Sequence, residues 1–229
     1  MVFDPSLILL LPAILLSFYA QHKVNSTFHK FAQVGSAKGM TGREVAEKLL
    51  AASGIRDVSV EGISGQLTDH YDPRDKTVRL SEAVYNQTSL AALSVAAHEV
   101  GHAIQHDEGY APLSFRTGLF PVANIGSKMA MPLLIAGMIL STQIFGIWML
   151  YAGIALFSFA TLFQVVTLPV EFNASSRALA LLEEQRFLSD IEIVPAKKVL
   201  NAAALTYVAA ALVSLLQLLR FISMVNRRS

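Results

Sequence analysis

The feature that most restricts this chain is the apolar block spanning residues 119–168. One membrane crossing needs about 20 residues, so the block is too long for a single span. Ser141-Thr142-Gln143 interrupts it near its middle. Two transmembrane helices are therefore expected, over 122–141 and 145–168, joined by a tight turn. Lys128 can snorkel toward an interface, and Trp148 and Tyr151 suit the aromatic belt just past the turn. Two more apolar runs cover residues 6–20 and 202–225. The residues before the first run, MVFD, lack the basic segment of a signal peptide. An uncleaved anchor is expected there, with Pro12 as a candidate kink.

Composition agrees with this pattern. Charged residues make up 15% of the 229 positions, against about 25% in ordinary soluble domains. Mean hydropathy is +0.48, yet the apolar residues collect in runs while 21–116 reads as soluble sequence. The net charge of +1 gives no electrostatic reason to expect nucleic acid as a partner. The absence of cysteine removes disulfides, thiolate metal sites and cysteine nucleophiles.

The expected fold is a mainly α membrane protein with about four transmembrane helices and a small α+β polar domain. Its segments are an anchor (1–22), a polar domain (23–118), a transmembrane hairpin (119–169), a polar helical segment (170–200) and a C-terminal span (201–229). Within the polar domain, Thr41 and Glu44 form a capping box at the start of an amphipathic helix. Ser53-Gly54 ends that helix. Residues 58–61 alternate as a strand does, and 67–80 read as a hairpin turning at 72–75. Thr88 or Ser89 is placed to cap a helix over 91–106. A transmembrane hairpin returns both polar segments to one side. They hold most of the Lys and Arg, so the positive-inside rule assigns them to the cytoplasm. Arg227 and Arg228 then fall on the opposite side.

The helix over 91–106 carries His98-Glu99-Val100-Gly101-His102, an H-E-x-x-H. Residues four apart share a helix face, so His98 and His102 can offer two imidazoles to one metal ion. Glu99 is one step round, placed to reach a water on the metal rather than the metal itself. Zinc would lower that water's pKa, and Glu99 would take its proton as the water attacks a carbonyl. The sequence before the motif, SLAALSVAA, is that of a buried helix. Two histidines and a glutamate inside such a helix are costly unless they bind something.

A catalytic zinc needs a third protein ligand. The metzincin spacing asks for Gly at 105 and His at 108, where Gln105 and Glu108 stand. His106 lies too far along the helix to share one ion with His98 and His102 at about 1.5 Å rise per residue. Glu171, an acid emerging at the end of an apolar span, is the remaining candidate. An acid there also suits a membrane interface or a helix start on its own account.

The chain resembles the YugP-type membrane zinc peptidases of bacteria, related in plan to HtpX-like membrane proteases. The resemblance covers nearly the whole chain and rests on DHYDP (69–73), VAAHEVGHAIQH (95–106) and LPVEFNASSRAL (168–179). It implies Glu171 as the third ligand of one zinc ion, in a gluzincin-like metalloprotease domain. HtpX-like enzymes carry Asp four residues after that Glu, where it bonds a zinc-bound His. Ser175 stands there in this chain, an acceptor without charge.

Arg177, His70 and Tyr71 are candidate donors to the oxyanion of a peptide substrate. The segment 77–80 is a candidate edge strand for an extended peptide. The expected function is a zinc metalloendopeptidase of the cell membrane, acting on membrane or membrane-proximal proteins. One alternative is a zinc-binding scaffold or chaperone-like adaptor, which would not need Glu99. Another is a site-2-type intramembrane protease, which needs an aspartate ligand from a span, and residues 119–168 contain none. The oligomeric state is left open.

Overall fold

A computed structural model describes residues 5–226. After a 3₁₀ segment at Pro5–Leu10 come helix α1 (Leu11–Ala32) and helix α2 (Gly42–Ala52). Three short strands follow, β1 (Ser59–Ile63), β2 (His70–Asp72) and β3 (Thr77–Ser81). The remainder is helical: α3 (Leu90–Asp107), α4 (Ala111–Ile139), α5 (Ile144–Glu184) and α6 (Asp190–Asn226). The chain divides into two compact units.

One unit comprises Met1–Tyr19, Ser114–Leu168 and Tyr207–Ser229. Within it α4 and α5 approach closely, because glycines let their backbones meet. A Cβ on Gly126 would collide with the carbonyl of Leu156, and one on Gly137 would lie 2.8 Å from the carbonyl of Gly146. Thr161 Oγ1 and Ser214 Oγ, 2.9 Å apart, bond α5 to α6. Ile139, Phe145 and Trp148 are exposed, as suits a surface solvated by lipid rather than water. Among the described residues, three helices are long and apolar enough to cross a membrane: α4, α5 and α6. The anchor expected over 1–22 falls on the 3₁₀ segment and the first half of α1, with residues 1–4 outside those described. Helix α1 is not among the three, because Gln21-His22-Lys23 begins a polar half that dilutes its hydropathy.

The second unit comprises Ala20–Leu113 and Pro169–Thr206. Helix α2 starts on the expected capping box: Thr41 accepts from the backbone of Glu44, whose carboxylate accepts in return. Helix α3 is capped by Ser89, whose Oγ accepts from Ala92 N at 3.2 Å. Leu90, Leu93, Ala97 and Val100 lie buried along it, with Leu49, Leu80, Leu182 and Leu200 in the same core. The hairpin expected over 67–80 forms as β2 and β3, its turn held by Asp72, which accepts from the backbone and guanidinium of Arg74.

The sheet order is β1-β3-β2, with β1 parallel and β2 antiparallel to β3. This corrects the expectation that 77–80 offers a free edge. Strand β3 is central because β1 pairs with its other side, and the edge beside α3 is β2. Helix α5 also differs from expectation. It runs unbroken through Pro169, although a proline inside a helix costs about 3 kcal/mol. Val170, Ala174, Ala178 and Leu182 are all fully buried at a spacing of four, so packing offsets that loss and carries the helix onward. Glu171 therefore sits inside a helix, beside this buried stripe.

Candidate metal centre

Helices α3 and α5 bring His98, His102 and Glu171 together across more than 65 residues of chain. Each offers one ligand atom, and the three atoms lie within 4.8 Å of one another. Glu171 Oε2 is 3.2 Å from His98 Nε2 and 3.6 Å from His102 Nε2. Bonds of about 2.0–2.1 Å at tetrahedral angles set ligand atoms about 3.3 Å apart, so these separations fit one zinc ion. Two imidazoles and a carboxylate also form a donor set that leaves a fourth position open for chemistry. The Glu171 side chain is 3% exposed, and a carboxylate buried so deeply requires positive charge beside it.

The approach of the two helices depends on Gly101. A Cβ there would lie 2.7 Å from the carbonyl of Ala174, one turn beyond Glu171. Every non-glycine residue at this place would push α5 and its carboxylate away from the histidines.

Glu99 is buried, and burial pushes its carboxyl above the usual range, against the opposing pull of the adjacent histidines. Burial alone would lower the His102 imidazole, but the hydrogen bond and charge of Glu171 outweigh it and raise it. A cation is thus favoured at the point where those two side chains meet.

A family model described as "Putative neutral zinc metallopeptidase" matches residues 6–226. The chain belongs to this zinc metallopeptidase family. It is 52% identical over 215 residues to a Bacillus subtilis protein named "Putative membrane protease YugP", covering 93% of each chain. No solved structure matches it. The buried His98, His102 and Glu171 of this metallopeptidase can hold a metal ion.

The outer partners of the ligands differ. His98 Nδ1 lies 3.2 Å from Ser175 Oγ, so serine fills the place the resemblance gives to aspartate. His102 Nδ1 lies 3.0 Å from Oε1 of Gln105, a fully buried side chain. Gln105 Nε2 donates to Val170 O at 2.8 Å and to Asn173 Oδ1 at 2.9 Å. Sequence reasoning used Gln105 only to reject a metzincin pattern. The signal it held was an amide three residues after His102, on the same face of the helix.

The other three candidate residues in the metallopeptidase make their hydrogen bonds away from the triad. Arg177 donates from Nε to Asn173 Oδ1 at 2.8 Å and pairs with Glu108 at 2.6 Å. His70 Nδ1 is 2.8 Å from Thr68 O. Burial, then the charges of Asp57 and Asp107, push the Tyr71 phenol up to about 12. It keeps its proton at neutral pH, and its oxygen lies 2.7 Å from His106 Nδ1. His106 is engaged there, apart from the three ligands, as its position along the helix requires.

Proposed function

We propose that the protein is a zinc-dependent endopeptidase of gluzincin type. The observation that carries this reading is the convergence of His98, His102 and Glu171 beside a buried Glu99. A zinc ion held there would supply Lewis acidity, polarising a peptide carbonyl and easing proton loss from an attacking water. Glu99 takes that proton. Its burial raises the basicity of the carboxylate, so it can hold the proton and deliver it to the departing amine.

The substrate lies extended along β2, the edge strand packed on α3, where unpaired backbone groups can add a peptide strand. His70 and Tyr71 lie on that strand and are our choice of donors to the carbonyl oxygen. Arg177 serves better in holding Asn173 and Glu108 than as a third donor. The substrates are membrane or membrane-proximal proteins, and the placement of most Lys and Arg in the polar segments supports an active site on the cytoplasmic face of the cell membrane. An N-terminal anchor makes a fourth span.

Detergent-purified protein is expected to cleave casein or a membrane-protein substrate. Glu99→Gln keeps its zinc and loses about 10²- to 10⁴-fold in kcat. Equal cleavage by Glu99→Gln would reject the mechanism, and unimpaired cellular function of that variant would favour a zinc-binding scaffold.

A further inference from the structure

The hydrogen bonds behind His102 have a polarity that can be read from their ends. The carbonyl of Val170 can only accept, and the Nε–H of Arg177 can only donate. Arg177 donates to Asn173 Oδ1, which makes that atom the oxygen of the amide. Gln105 faces both Val170 O and Asn173 Oδ1 with one end of its side chain. Were the Gln105 amide turned over, its oxygen would meet two acceptors within 2.9 Å. The NH₂ group must therefore face α5, and Oε1 must face His102. An acceptor 3.0 Å from His102 Nδ1 requires the proton on Nδ1 and, in the neutral imidazole that binds a metal, leaves the Nε2 lone pair free. That Nε2 is the atom 3.6 Å from Glu171 Oε2.

We propose that Gln105 is the positioning residue of the metal site, fixing His102 as the Nδ1–H tautomer and tying its orientation to the helix that carries Glu171. The inference rests on the metallopeptidase reading. The line runs His102, Gln105, Asn173, Arg177, Glu108, crossing from α3 to α5 and back. Gln105 also grips α5 at Val170, the residue before the carboxylate ligand. One side chain thus sets the tautomer of one ligand and the position of another. The arrangement is unequal: His98 leans on a single hydroxyl, whereas His102 leans on an amide whose two protons are both committed.

The test compares zinc affinity, by competition with a chromophoric chelator, in full-length wild type, Gln105→Met and Gln105→Glu. Gln105→Met fills the space without an acceptor and is expected to weaken zinc binding about 10- to 100-fold. Gln105→Glu keeps an acceptor for Nδ1–H while its outer oxygen, buried against Val170 O and Asn173 Oδ1, takes a proton and donates to α5, and it is expected to recover part of that loss. Recovery by glutamate is an outcome that a purely packing role would not give. The cobalt(II) absorption of Gln105→Met should also change in position or intensity, reporting altered ligand geometry independently of activity. Wild-type zinc affinity in Gln105→Met, or no recovery in Gln105→Glu, overturns the inference while leaving the metallopeptidase reading intact. Absence of zinc binding by the wild type itself would overturn both. Histidine-selective ¹⁵N NMR of zinc-loaded wild type needs no variant: a proton on His102 Nδ1 supports the assignment, and metal on Nδ1 contradicts it.

Discussion

Gly101 shows how much of the centre depends on a missing side chain. A methyl group at this helical position gains up to about 1 kcal/mol in helix propensity. The same methyl would meet the Ala174 carbonyl at 2.7 Å, and overpacking of this kind costs about 1–3 kcal/mol. The steric cost wins, because the atom it meets is backbone and cannot rotate aside. Gly101→Ala is expected to lower the thermal unfolding midpoint in detergent and to weaken zinc binding by displacing Glu171; a more stable variant with unchanged zinc affinity would show that the contact does not set the spacing. The H-E-x-x-H spacing is enough to put His98, Glu99 and His102 side by side on one helix, since helix geometry is local. Glu171 is one candidate ligand in the sequence, and only the resemblance implies that role, because an acid at the end of an apolar run has an ordinary explanation. Gln105 stayed hidden for a different reason. Its partners Val170 and Asn173 lie 65 and 68 residues away, and no local pattern reveals what a buried amide will meet.

Secondary structure was most legible where a side chain signals its own element. Thr41 with Glu44, Ser53-Gly54 and the turn at 72–75 act on neighbouring backbone groups, so they survive translation into structure. Ser89 is of the same kind, and it caps the helix that carries both histidines. Ser89→Ala leaves the Ala92 N–H without its acceptor and is expected to cost about 1 kcal/mol, read as a lower urea or thermal midpoint. No change would mean that another group satisfies that donor. Strand order was not legible, because three short strands of similar character carry no mark of which is central. The pairing of β1 with β3 decides it, and it makes β1 and β2 the two edges. Helix ends past the apolar runs were equally obscure. Pro169 reads as a boundary in sequence, but a stripe of buried residues at intervals of four continues α5 beyond it.

At the scale of the whole molecule, the division into an apolar and a polar unit follows the same runs that stand out in the sequence. Both polar stretches, 20–113 and 169–206, join one unit even though the apolar hairpin separates them in the chain. The proposed arrangement of four spans, with that unit in the cytoplasm, would place both chain ends outside. Terminal epitope tags on intact cells are expected to be labelled at both ends; an N-terminal tag reached only after lysis would mean that α1 does not cross. The account as a whole turns on two distant helices sharing one ion. Zinc content measured side by side for wild type, His98→Ala and Glu171→Ala tests this most directly. The prediction is one zinc per chain in the wild type and substoichiometric zinc in both variants. Stoichiometric zinc retained by Glu171→Ala would contradict it.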